Sequence, residues 1–157
     1  MISPGQGYPA PAPVMKLRLQ AQLLGYAGLI PFIGLSIGTW ADLPFIEQPH
    51  YLLQAYAAVI LSFMGAIHWG MVISMPGEEA RMQLVASVVP PLLGWVALML
   101  PQVTGYSLLI LSFVGLCFYD GVVARKSALP SWYLPMRVVL TSIVVVCLTL
   151  AAFAAAG

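Results

Sequence analysis

Long uncharged apolar segments alternate with short polar segments along this chain, and the polar segments hold all of its Lys and Arg residues. A helix needs about 20 apolar residues to cross the hydrocarbon core of a bilayer. Five segments have this length, at about residues 21–40, 51–75, 82–100, 105–123 and 138–156. The pattern therefore predicts an all-α membrane protein, a bundle of five transmembrane helices that forms one domain over residues 16–157.

The first 15 residues differ from the rest, because they are rich in Pro and Gly and carry no charged side chain. A signal peptide begins with basic residues followed by an apolar core, and this segment has neither feature. We expect residues 1–15 to form a flexible leader.

The composition excludes several classes of protein. The chain is 61% hydrophobic and 7% charged, which is outside the range of soluble globular domains. A net charge of +1 argues against a nucleic-acid-binding surface. The sequence shows no Ser-His-Asp set, no His/Cys spacing typical of a metal site and no Gly-rich phosphate-binding loop. We therefore predict that the protein is not an enzyme and holds neither a metal nor a cofactor.

The basic residues predict the orientation of the bundle. All of them fall on one side of the five-helix arrangement: Lys16, Arg18, Arg81, Arg125, Lys126 and Arg137. Loops rich in Lys and Arg stay on the cytoplasmic side of a membrane. The prediction is an N-terminus inside and a C-terminus outside.

Small residues predict where the helices pack. In the second helix Ala58, Ser62, Ala66 and Gly70 recur every four residues and form a small-residue ridge, where neighbouring backbones can approach closely. Large residues such as Phe63 lie on another face, which suits lipid. In the first helix, Gly34 and Gly38 have the same spacing. We predict that these small residues make helix–helix contacts.

Prolines within the apolar segments predict kinks. Pro31 lies in the middle of the first segment, and Pro90 with Pro91 lie in the middle of the third. Proline has no N–H and leaves the carbonyl four residues earlier without its usual donor. We expect kinks at these positions, with the hydroxyl of Ser87 helping to satisfy the opened backbone.

Two ionisable residues, His68 and Asp120, lie within predicted membrane helices. Such residues usually face protein or water rather than lipid. Helix rise places them about 9 Å and about 5 Å from the inner ends of their helices. One hypothesis is a proton-sensitive pair facing one inner pocket, with Arg125 or Arg137 competing for the carboxylate. The alternative is a structural His68 that donates to a backbone carbonyl.

Three segments resemble the transmembrane protein 69-like family, which is built on domain of unknown function 3429: LGYAGLIPF (24–32), YAAVILSFMGAIHWG (56–70) and LPSWYLPMRVVLTSIVVVCL (129–148). The resemblance implies a small multi-pass protein of a bacterial inner membrane, or of the mitochondrial inner membrane in a eukaryote. It implies no activity. The residues that match its recurring pattern are Pro31, Gly65, His68, Trp69, Gly70, Asp120, Trp132, Tyr133 and Arg137.

Two functions from different classes remain open. The first is an accessory or assembly factor that packs against larger inner-membrane complexes, or against copies of itself, within the lipid bilayer. The second is a small conduit or binder for protons, a quinone or another lipophilic solute that uses His68 and Asp120.

Overall fold

The computed structural model describes residues 12–41, 46–72, 78–126 and 130–157. Within these ranges the regular structure is helical, without a strand. The six helices are Ala12–Ala27 (α1), Leu29–Gly38 (α2), Pro49–Val72 (α3), Glu78–Met99 (α4), Gln102–Lys126 (α5) and Tyr133–Ala156 (α6).

These helices provide five spans that are long and apolar enough to cross a membrane. The helices α1 and α2 together supply one span, Arg18–Gly38, and each of the other four helices supplies one. The prediction of an all-α membrane protein with five spans is confirmed. The orientation of the termini stays a prediction.

Two helices begin earlier than expected. The first, α1, begins at Ala12, inside the segment that we expected to be a flexible leader; residues 1–11 lie outside the described residues. The last, α6, begins at Tyr133, five residues before the predicted start at 138, and therefore includes Arg137. Pro135 lies in the first turn of α6, where a missing N–H breaks no helical hydrogen bond. The sequence pattern placed this start later because the uncharged apolar segment begins only after Arg137.

The first span is interrupted at Gly28, three residues before Pro31. Pro31 has no N–H to donate to the carbonyl of Ala27, where α1 ends, and it lies in the first turn of α2. The hydroxyl of Tyr56 on α3 donates to the carbonyl of Gly28 at 2.9 Å. The neighbouring helix thus satisfies a backbone group at the break, as a membrane interior requires.

The second proline site behaves differently, because α4 remains helical through Pro90 and Pro91. The hydroxyl of Ser87 donates to the carbonyl of Leu84 at 2.6 Å, not to the carbonyls of Ala86 and Ser87 that the two prolines leave without donors. The expected role of the Ser87 hydroxyl in satisfying the opened backbone is therefore wrong.

The helix α3 lies at the centre of the bundle and packs against α2, α4, α5 and α6. Its contact with α4 is close at two points. A Cβ added at Gly65 would lie 2.9 Å from the carbonyl oxygen of Ser87. A Cβ added at Gly94 would lie 3.2 Å from the Cα of Ala58. Glycine at both positions therefore allows the two backbones to approach closely.

The predicted small-residue ridge is only partly a packing surface. Ala58 is buried and Ser62 is half-buried, but Ala66 and Gly70 are exposed. A Cβ added at Gly70 would meet no described atom within 4 Å. The contact face of α3 instead contains Leu61, Gly65 and His68, so it is turned away from the ridge.

In the first span, too, one of the two predicted small packing residues is buried and the other is exposed. Gly38 is buried, whereas Gly34 is exposed and a Cβ there would meet no described atom within 4 Å. The helix α2 is joined to α6 by a hydrogen bond from the hydroxyl of Ser36 to the carbonyl of Cys147, at 3.0 Å. Among the described residues, the predicted contacts at Gly34 and Gly70 are not formed, and Ala66 is exposed.

Candidate functional site

Three charged or ionisable side chains meet in the interior of the bundle. The Nε2 atom of His68 on α3 lies 2.8 Å from Oδ1 of Asp120 on α5. The Nε of Arg137 on α6 donates to Oδ2 of the same carboxylate at 2.5 Å. The three residues are 1%, 2% and 3% exposed. We call these three residues the buried triad.

Each member of the triad continues an apolar stripe of its helix. On α3, Leu61, Gly65 and His68 are spaced at i, i+4 and i+7 and are all buried. On α5, Leu116 and Asp120 share a buried face. On α6, Arg137 begins a buried row that continues through Thr141, Val144 and Leu148. Packing of these stripes against one another therefore brings the three polar groups together.

The triad balances its charges. An ionised carboxylate only accepts hydrogen bonds, so Nε2 of His68 carries the hydrogen that it shares with Asp120. The carboxylate of Asp120 and the guanidinium of Arg137 carry opposite charges and are in direct contact. The ring of His68 also packs edge-on against Tyr119, with centroids 5.0 Å apart. The triad therefore ties α3, α5 and α6 together.

Three buried polar atoms at or beside the triad have no hydrogen-bond partner among the described residues: Nδ1 of His68, Nη2 of Arg137 and Oγ1 of Thr141. Arg137 and Thr141 also line a cavity of about 110 Å³ between α1, α2, α3, α5 and α6. Polar atoms in such positions usually bond to protein, water or a ligand. The triad and Thr141 therefore keep hydrogen-bonding capacity that the described residues do not use, at atoms that are enclosed in the bundle.

The structure distinguishes between the two arginines that the sequence left as alternative partners of Asp120. Arg137 contacts Asp120 directly. Arg125 is exposed and lies instead along a groove of about 500 Å³ between α5 and α6. In the described part of the chain, no group of three or more His, Cys, Asp and Glu residues is arranged to hold a metal ion.

Sequence analysis missed a second polar cluster at the opposite end of α3. The hydroxyl of Tyr106 donates to the carbonyl of His50 at 2.9 Å, and Nδ1 of His50 lies 3.2 Å from the same hydroxyl. The side-chain amide of Gln54 donates to the carbonyl of Ala97 at the end of α4. The spacing of His50 and Gln54 by one helical turn, in an otherwise apolar segment, was the available signal.

Comparison with known proteins places the chain in a family. The model of a protein family of unknown function, DUF3429, matches residues 17–153, which include the whole triad. The chain belongs to the DUF3429 family. It is similar to Transmembrane protein 69 of Xenopus tropicalis, with 34% identity over 129 residues that cover 80% of this chain and 50% of that protein. The chain thus spans about half the length of this relative. No solved structure matches the chain significantly.

Proposed function

We propose that the protein is a membrane-embedded accessory or assembly factor that packs against larger membrane complexes. The observation that carries the proposal is the exposed pair Ala66 and Gly70 on α3. Transmembrane helices associate where small residues let their backbones approach. These two residues have the required size and spacing, but within this chain they face outward.

The surroundings of this pair give it a shape that a partner helix can fill. Phe63 lies about one turn before Ala66 and is 62% exposed, and Trp69 is 52% exposed beside Gly70. Two large side chains therefore border a shallow depression in the helix surface at Ala66 and Gly70. The triad supports such a role, because it fixes α3 relative to α5 and α6 and keeps this surface rigid.

The arrangement of polar groups supports conduction of protons less well. Gln54 and His68 mark the two polar clusters on α3, and they are 14 residues apart, about 21 Å along the helix. The buried residues between them are apolar, including Ala57, Leu61 and Gly65. A proton path needs polar groups or water at short intervals. On α3, the described residues supply buried polar groups only at the two ends of this stretch.

The proposal is tested by photo-crosslinking in native membranes. A photoreactive amino acid placed at Ala66 is expected to form an adduct of one defined mass. The same group at Leu111, which is 70% exposed on α5, serves as the control on a lipid-facing surface. Gly70→Leu should abolish the Ala66 adduct without lowering the melting temperature of the isolated chain. Identical adducts from both positions, or an adduct that survives Gly70→Leu, would refute the proposed surface.

A further inference from the structure

A long groove with mainly apolar walls lies between α5 and α6 on the outer surface of the bundle. Its volume of about 500 Å³ is within the range of ligand-binding clefts, about 300–1,000 Å³. Phe118 on α5 and Val138 on α6 line the groove and are 76% and 48% exposed. Because exposed apolar residues form the lipid-facing surface of a membrane protein, acyl chains of the bilayer have direct access to this groove.

Small residues leave the space that forms the groove. Gly121 on α5 lines it, and a Cβ added at this glycine would meet no described atom within 4 Å. Ser142 on α6 is also small, and its hydroxyl donates to the carbonyl of Val138 at 2.9 Å. The hydroxyl oxygen of Thr141 is enclosed in the bundle and does not reach an occupant. Apart from Arg125, the lining residues therefore offer an occupant mainly apolar contacts.

The length of the groove matches one leaflet of a bilayer. Its lining residues extend from Val114 to Arg125 on α5 and from Leu134 to Val145 on α6. Each stretch rises by about 16 Å along its helix. The hydrocarbon core of a bilayer is about 30 Å thick, so one leaflet contributes about 15 Å. An occupant that fills the groove therefore extends from the membrane surface to the middle of the bilayer, as the acyl chain of a phospholipid does.

The charged end of the groove lies where both helices end. Arg125 is the last residue but one of α5, and Leu134 is the second residue of α6. Arg125 is exposed, so a group at the membrane surface reaches its guanidinium. The ion pairs among the described residues are those of Asp120 with His68 and Arg137. In this part of the chain, the charge of Arg125 is therefore not neutralised by a carboxylate.

This guanidinium selects a headgroup of net negative charge. Its N–H groups form a planar fork that matches two oxygens of a phosphate. Phosphatidylcholine has a phosphate, but its choline group carries a positive charge that offsets it. Phosphatidylglycerol keeps a net negative charge, which neutralises Arg125. Charge complementarity therefore favours an anionic phospholipid.

A partner helix fits the groove less well than an acyl chain does. A helix with its side chains is about 10 Å across, so a 16 Å length of it occupies about 1,300 Å³. This is more than twice the volume of the groove, which is about 500 Å³. A helix would therefore rest on the rims of the groove, whereas a single acyl chain is narrow enough to lie inside.

We infer that the groove between α5 and α6 binds one anionic phospholipid, with an acyl chain along Gly121 and Ser142 and the phosphate at the guanidinium of Arg125. This inference goes beyond an accessory role and is independent of it. A second groove, of about 310 Å³ between α4 and α5, is lined by Gly115 and contains no charged residue among its lining residues. It serves as an internal comparison on the other side of α5.

The test compares two lipids that differ only in their headgroups. The full chain is purified in dodecyl maltoside, and phosphatidylglycerol or phosphatidylcholine with identical acyl chains is titrated while native mass spectra are recorded. One basic side chain near the membrane surface strengthens binding to anionic lipid by about fivefold. We therefore expect saturation at one phosphatidylglycerol per chain, with about fivefold weaker binding of phosphatidylcholine.

Variants of the charge locate the headgroup. Arg125→Gln should reduce the preference for phosphatidylglycerol to a ratio of about one, and Arg125→Lys should retain a preference. Arg125 is exposed, so we expect both variants to fold. Arg81→Gln is the matched control, because it removes the same charge from an exposed position on α4 and should leave the ratio at about five.

Variants of the shape locate the acyl chain. Gly121→Leu fills the groove and displaces about two methylene groups of the lipid, so it should weaken binding of phosphatidylglycerol about tenfold. Gly115→Leu is the matched control on the same helix. A Cβ at either glycine would meet no described atom within 4 Å, but Gly115 lines the other groove, so its replacement should leave binding unchanged. If Gly121→Leu does not fold, the Arg125 variants decide.

Equal binding of the two lipids by the unchanged chain would overturn the inference. A preference for phosphatidylglycerol that survives Arg125→Gln would also overturn it, as would binding that a folded Gly121→Leu variant leaves unchanged. A dimer in the native mass spectra that Gly121→Leu dissociates would overturn it as well, and would assign the groove to a second copy of the chain.

Discussion

Removal of the Asp120 carboxylate is expected to be the most damaging single change in the triad. Asp120 accepts from both His68 and Arg137 and is 2% exposed. Asp120→Ala leaves the guanidinium of Arg137 buried without its counter-charge. Breaking a buried ion pair in this way costs about 3–5 kcal/mol, so we expect the free energy of unfolding to fall by that amount.

The coupling between His68 and Asp120 provides the sharper measurement. His68→Phe removes the hydrogen bond but keeps a ring that can pack against Tyr119. Loss of a hydrogen bond to a charged group costs about 1.5–3 kcal/mol. In the double variant this bond is already absent, so the double variant should be about as unstable as Asp120→Ala alone. The expected coupling energy is therefore about 1.5–3 kcal/mol.

The assay is a denaturant titration of the purified chain in mixed micelles, followed by far-ultraviolet circular dichroism. Asp120→Ala combined with Thr149→Val is the control cycle. Thr149 lies 12 residues beyond Arg137, about 18 Å along α6, so this pair should be additive within about 0.5 kcal/mol. Additivity of His68→Phe and Asp120→Ala would refute a direct contact between the two side chains.

Three further predictions concern packing, the choice of arginine and topology. Gly65→Leu should lower the melting temperature strongly, because a Cβ there would lie 2.9 Å from an α4 carbonyl, whereas Gly70→Leu should change it little; the reverse ranking would contradict the packing of α3. Arg137→Gln should reduce the folded yield and exposed Arg125→Gln should not, as measured by size-exclusion chromatography; equal yields would rule out a structural role for the triad arginine. Reporter fusions should alternate in location, beginning outside, when placed after Asp42, Gly77, Gln102, Ser127 and Gly157. An outside signal from the fusion after Gly77 would disprove the predicted topology.

The candidate site could be predicted in part from the sequence. His68 and Asp120 were recognisable because an ionisable residue inside a membrane helix needs a polar partner, and their calculated depths overlapped. The choice between Arg125 and Arg137 could not be made. It depends on where α6 begins, and the uncharged apolar segment of the sequence starts only after Arg137. The early start of α6 places Arg137 on a buried helical face.

The packing faces were harder to predict, as the ridge from Ala58 to Gly70 shows. In a soluble protein, polar residues mark the outside of a helix. In a bilayer, lipid and protein interior are equally apolar, so apolar periodicity does not reveal which face is buried. Small residues remain as a signal, but they mark contacts with any helix, including one from a partner. Gly65 and Gly70 are both small, and only their neighbours in space distinguish them.

The sequence by itself determined the class of the protein, its five spans and the two ionisable residues of the interior. It did so because the length of an apolar segment and the cost of a polar group in lipid are local properties of the chain. The tertiary structure alone decided the third member of the triad, the contact face of α3 and the cavity at Thr141. These features depend on the rotation of each helix about its axis, which is set by contacts between residues far apart in the chain.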